Sequence, residues 1–113
     1  MLFSILYFLE LIGDELKLIS HHLIYDFPHS RFKVIAEMAE SVKQQFDLYY
    51  EMFYKFDKEK VRKMSEIDKK RYFGVDELYR KTKENEVKEI FHHLRIITRY
   101  LNSLTELRIE MEF

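Results

Sequence analysis

Four stretches of the chain carry apolar residues at alternating steps of three and four, and no other feature constrains the fold as strongly. In the first, Leu2, Ile5, Leu9, Ile12, Leu16, Ile19 and Leu23 keep the pattern without a miss. The second repeats it with Phe32, Ile35, Ala39, Val42, Phe46, Tyr49, Phe53 and Phe56, and the last with Val87, Ile90, Leu94, Ile97, Leu101 and Leu104, broken by Arg108 and resumed at Met111. Residues spaced this way fall on one face of an α-helix, whereas a strand needs alternation at every second residue. The third stretch is weaker. Val61 and Met64 open a stripe and Val75 and Leu78 resume it, while Asp68 and Arg71 hold the positions between. Those two are three apart and can pair on one helix face. Gly74 costs a helix interior about 1 kcal/mol against alanine and permits a local bend.

The breaks between stretches are short and carry recognisable stop and start signals. Asp26-Phe27-Pro28-His29-Ser30 ends the first helix, because a residue before proline avoids the helical region. Ser30 caps the second helix, and Asp57 caps the third with Glu59 in its positive first turn. Thr82 or Asn85 caps the fourth, with Glu86 and Glu89 behind it. The expectation is an all-α fold, an antiparallel bundle of four long helices over about residues 1–25, 31–56, 58–82 and 86–112, forming one domain across 1–113. With only two glycines and one proline, the chain lacks the permissive backbone of hairpins and glycine-rich nucleotide loops.

Composition narrows the function classes. Apolar residues make up 47% of 113, enough for a core at this size. Charged residues make up 35%, yet the net charge is −1, so there is no basic excess to neutralise a phosphate backbone and no direct nucleic-acid binding is expected. Absence of cysteine excludes disulfides and thiolate metal sites and is compatible with a cytoplasmic location. The apolar start, MLFSILYFLE, meets Glu10 and Asp14 too soon to span a bilayer and lacks the charged start and cleavage site of a signal peptide. It still needs a surface to cover it: the bundle, a second copy, or another part of a longer protein.

No nucleophile elbow, phosphate loop, zinc-protease helix or calcium loop occurs, so no catalytic residue is assigned and the chain reads as a non-enzyme. Glu10 and Asp14 stand one helical turn apart and can direct two carboxylates at one point, as a cation site requires. Asn102 and Glu106 form the corresponding pair on the last helix, with Glu110 one turn on. Taken alone, each pair reads more simply as a solvated polar face. Glu89-Ile90-Phe91-His92 is a Glu-x-x-His sequence, but a ferritin-like di-iron site needs two, and neither His21 nor His22 has a glutamate three residues before it. The doublets His21-His22 and His92-His93 point about 100° apart within each pair, so neither doublet can easily share one ion. Tyr49, Tyr50, Phe53, Tyr54 and Phe56 form an aromatic cluster suited to core or dimer packing more than to base stacking. The basic stretches 58–63 and 69–71 read as solvated faces.

The first and last helices also align with each other. Ile5 to Glu10 lies on Ile97 to Asn102 at an offset that sets Asp14 on Glu106, which favours an internal duplication.

At the acidic pair, Leu9-Glu10-Leu11-Ile12-Gly13-Asp14 resembles the signature of the PhoU family of phosphate-uptake regulators, typically written E-R-I-G-D. Val75-Asp76-Glu77-Leu78-Tyr79 is similar to the acidic end of that family's middle helix, and Ile96-Ile97-Thr98-Arg99-Tyr100-Leu101 to its "IARYLERI" segment. The resemblance covers nearly the whole chain. It implies a spectrin-like three-helix repeat preceded by one helix, as in the C-terminal half of a two-repeat member or a shortened single-module member. It further implies a cytoplasmic, often homodimeric protein that restrains phosphate uptake through a transporter or sensor partner. Iron or zinc would be an optional metal at Glu10, Asp14, Asn102 and Glu106. Two positions depart from the family pattern: Asn102 replaces an acid, and Leu11 stands where the arginine is expected. Both weaken a metal role, since a neutral amide is a poor anionic ligand. The alternative is a helical dimerisation or assembly domain of a larger transport or transcription regulator, with no metal role.

Overall fold

The computed structural model describes the backbone of residues 2–25, 32–81 and 85–113, with their side chains except at 25, 32, 34, 72–81 and 86. The chain is all-α. Its helices are α1 (Leu2–Tyr25), α2 (Phe32–Tyr54), α3 (Lys58–Lys81) and α4 (Asn85–Glu112), with no strand among the described residues. The bounds fall within two residues of those expected from the apolar spacing. At 28 residues α4 is about 42 Å long, and the molecule extends 45 × 27 × 18 Å, so its long axis is a helix length.

Asp57 starts α3 as expected. Its Oδ1 accepts the Glu59 N–H at 2.9 Å, and its carbonyl accepts those of Lys60 and Val61 at 3.1 and 3.3 Å. The helix continues through Gly74. The break at 26–30, the Ser30 cap and the Thr82 cap lie outside the described residues.

α4 is the shared neighbour. It packs against α1, α2 and, least, α3, while α2 also packs on α3. Consecutive residues of α4 are therefore buried seven apart: Ile90 with Phe91, Ile97 with Thr98, Leu104 with Thr105. The expected α4 stripe, Val87 to Leu104, is buried throughout.

In α1 and α2 the buried face is rotated from the expected one. Ile5, Ile12 and Ile19 are buried, but Leu2, Leu9 and Leu16 are exposed, and Phe8, Glu15 and His22 are the part-buried residues between them. In α2, Ile35, Val42 and Tyr49 alternate with buried Met38, Gln45 and Met52, while Phe46 and Phe53 are half-buried. Both helices bury one half of the expected stripe fully and turn toward the residue one place before the other half, of which Leu23, Phe46 and Phe53 still pack against the core. This rotation brings polar groups into the seams.

Gln45, fully buried, is one of them. Its Nε2 donates to the Met64 carbonyl at 3.1 Å, and its Oε1 accepts from Arg71 Nη2 at 2.5 Å. Arg71 also donates to Asp68 Oδ1 at 2.7 Å and to Ser41 Oγ at 3.0 Å. Asp68 and Arg71 thus pair as their spacing allows. Burial pushes the Arg71 guanidinium below its ordinary range, and Asp68 opposes that shift. The exposed basic stretch is laced as a solvated face, with Arg62 bridging Glu59 and Glu66 and Lys60 reaching Glu51 at 3.1 Å.

Candidate functional site

α1 presents chemistry on two faces. The inner face meets α4. There the seam positions Glu15 and His22 approach Glu89 and His93, which stand one turn apart on α4. His93 Nδ1 lies 2.5 Å from Glu15 Oε2 across the seam, both side chains largely buried, at 12% and 15% exposure. The other ring nitrogen, Nε2, lies 3.9 Å from Glu89 Oε2, beyond hydrogen-bond range. The His22 ring stacks on that of His93, centroids 5.6 Å apart and 27° between planes. One donor atom from each of His22, Glu89 and His93 lies within 4.8 Å of the other two. Two imidazoles and a carboxylate are the donors preferred by borderline divalent cations.

The outer face of α1 is apolar and uncovered. Leu2, Leu6, Leu9 and Leu16 are between 36% and 63% exposed. They sit four and three apart, and Gly13 completes the series. A β-carbon added to Gly13 would have no neighbour within 4 Å. Helical spacing also sets Glu10 and Lys17 seven apart on one rim of this stripe.

The residues expected to bind metal are placed as follows. Glu10 and Asp14 are exposed on α1, one turn apart. Asn102 and Glu106 are exposed on α4, and Asn102 Nδ2 donates to Asp68 Oδ2 on α3 at 3.3 Å. The pairings of Phe8 with Tyr100 and Glu15 with His93 set Asp14 level with about Leu94. Glu106 then lies about 18 Å further along α4. Among the described residues, the three carboxylate or imidazole donors that converge are His22, Glu89 and His93, and none of the four expected ligands is among them.

This cluster is not among the sites expected from the sequence. The sequence pairs Glu89 with His92, three apart, but His92 is exposed and the residue near Glu89 is His93, four apart. Neither histidine doublet shares an ion within itself, whereas one member of each doublet meets the other across the seam. The findable signal was Glu89-x-x-x-His93, the same one-turn spacing that drew attention to Glu10 and Asp14. Of the aromatic cluster, Tyr49 is core, Phe53 and Phe56 are half-buried, and Tyr50 and Tyr54 are exposed with rings 5.2 Å apart.

No helix among the described residues is long and apolar enough to cross a membrane. No protein-family model matches the chain, and neither does any curated protein or solved structure.

Proposed function

We propose that the chain is a non-enzymatic regulatory module of the PhoU type, an antiparallel helical bundle that acts as a homodimer joined through the outer face of α1. Its working surface then bears on a transporter or sensor component that controls phosphate uptake. One observation carries the reading: the stripe Leu2, Leu6, Leu9 and Leu16 is solvent-facing on a helix whose packing is against α4. An apolar series of this length at helix-packing spacing marks an interaction surface.

A second copy fits this stripe because its rim is self-complementary. In an antiparallel α1–α1′ pair, residues on the same flank meet each other. A two-fold axis near Gly13 and Asp14 sets Glu10 of each copy against Lys17 of the other. Gly13 at the centre allows close approach of the two backbones. The antiparallel course within one chain is supported by pairings such as Lys60 with Glu51 and Met64 with Gln45, whose numbers run in opposite senses. The phosphate-uptake role rests on the residues of the Leu9–Asp14 and Ile96–Leu101 segments alone.

Sedimentation velocity across the micromolar range tests the dimer. The chain sediments as a dimer, Leu6→Glu with Leu9→Glu makes it a monomer of unchanged helicity, and Glu10→Lys is rescued by Lys17→Glu. A chain that stays monomeric at high micromolar concentration overturns the reading. Uptake of labelled phosphate by cells lacking the chain, with and without the monomeric variant, tests the pathway. The proposal expects unrestrained uptake in both.

A further inference from the structure

We propose that His22, Glu89 and His93 bind one divalent transition ion of the zinc class, with Glu15 as the positioning residue for His93, and that the ion fastens α1 to α4. This inference stands apart from the dimer reading and from the acidic pair Glu10 and Asp14.

With Glu15 accepting the Nδ1 proton, the His93 imidazole is held in the tautomer whose Nε2 keeps its lone pair. A carboxylate holding one nitrogen while the other meets a metal is the usual arrangement of a metal-bound histidine. Nε2 lies 3.9 Å from Glu89 Oε2, the His22 ring stacks on that of His93, and one donor atom of each of the three residues lies within 4.8 Å of the other two. The Glu15–His93 hydrogen bond accounts for Nδ1. It does not account for the nearness of the Glu89 carboxylate and the His22 imidazole to the same ring.

The dimensions suit an ion of this size. Ligands at 2.0–2.1 Å in a tetrahedron lie about 3.4 Å from one another. The three donors are within 4.8 Å of one another, so closure needs a shift of about an ångström. Glu89 can supply it, because its side chain is 55% exposed and is the longest of the three. Two imidazoles select zinc, cobalt, nickel or copper over magnesium and calcium, which prefer oxygen. The ligands come from α1 and α4, so an ion bridges helices far apart in sequence and adds to the only extensive contact α1 makes among the described residues.

Cobalt(II) and zinc(II) titrations of the full chain test the proposal. One equivalent of cobalt gives visible absorption of a low-symmetry site, zinc displaces it, and the melting temperature rises with zinc concentration. Glu89→Gln, at an exposed position, keeps the helicity and loses most of the binding. His22→Ala does the same. Glu15→Gln weakens binding about 10–100-fold with stoichiometry kept, as loss of a positioning carboxylate does. His21→Ala, His92→Ala and the pair Glu10→Ala, Asp14→Ala leave binding unchanged. Absence of stoichiometric binding, unaltered affinity in Glu89→Gln, or loss of binding in the Glu10, Asp14 pair instead, overturns it.

Discussion

Arg108 on α4 donates its Nε–H to the main-chain oxygen of Met52, 2.9 Å away in the last turn of α2. Carbonyls in that turn have no partner within their own helix, and the guanidinium supplies one along with a positive charge where the helix dipole is negative. Arg108 also donates to Glu112 at 3.2 Å and lies over the Phe56 ring at 5.4 Å. The residue that interrupts the apolar stripe of α4 is therefore the cap of a different helix. Replacing it with methionine keeps the volume and removes the cap. Arg108→Met is expected to lower stability by about 2–3 kcal/mol, read from urea denaturation.

The Gln45–Arg71–Asp68 group makes a second test of buried polarity. Gln45→Leu removes an acceptor from a buried guanidinium and a donor from the Met64 carbonyl. The expected loss is about 2–3 kcal/mol. Adding Arg71→Leu removes the stranded charge, so the double variant is expected to lose less than the two single losses summed, by about 1 kcal/mol or more. Strict additivity in the cycle would show that the two side chains are not coupled.

Tyr49 is the converse case. Its hydroxyl is the one buried side-chain polar atom among the described residues with no hydrogen-bond partner. Tyr49→Phe is accordingly expected to be neutral or stabilising by up to about 1 kcal/mol at neutral pH. Burial raises the Tyr49 phenol above its ordinary 10.0, against the pull of Arg108. Above that ordinary value the unfolded chain releases a proton that the folded chain retains. This contribution is complete below the unfolded value and is lost as pH rises toward the folded one. The wild type is thus expected to lose stability faster than Tyr49→Phe above about pH 10, measured by denaturant midpoints at neutral and alkaline pH.

Gly13 separates the fold from self-association. An alanine there meets no neighbour within 4 Å and gains helix propensity of about 1 kcal/mol. Gly13→Ala is expected to raise the melting temperature at concentrations where monomer dominates and to weaken the proposed dimer, in which the added methyl would stand between the two α1 backbones. Equal dimer affinity in the variant would place the two-fold axis elsewhere.

Much of this fold was legible in the sequence, and the part that was not has one physical origin. Spacing of three and four located all four helices and the buried stripe Val87 to Leu104 of α4, but not Phe91, Thr98 and Thr105 buried beside it, and Met111, where the stripe was expected to resume, is exposed. α1 and α2 carry apolar arcs wider than the face they bury. Periodicity marks the arc, but not which part of it meets the next helix. Reading only apolar residues then selected Leu16 over Glu15 and Phe46 over Gln45, and unbroken three-four spacing selected Leu9 over Phe8. The polar seam residues were lost to the same rule that found the helices. The His22, Glu89 and His93 cluster needed that rotation to be known, since it joins residues nearly seventy apart in sequence through the seam Glu15 occupies. Asn102 was read as a weakened ligand, and in the structure its amide is engaged with Asp68.

The α1–α4 seam also imposes an order on biosynthesis. α1 is translated before α2 and α3, and its packing surface on α4 is translated after both. At about 5–20 residues per second, Ile5, Ile12 and Ile19 spend seconds with no α4 to receive them. During that interval both the Ile5, Ile12 and Ile19 face and the leucine stripe opposite stand open to chaperones and to neighbouring chains on the same message.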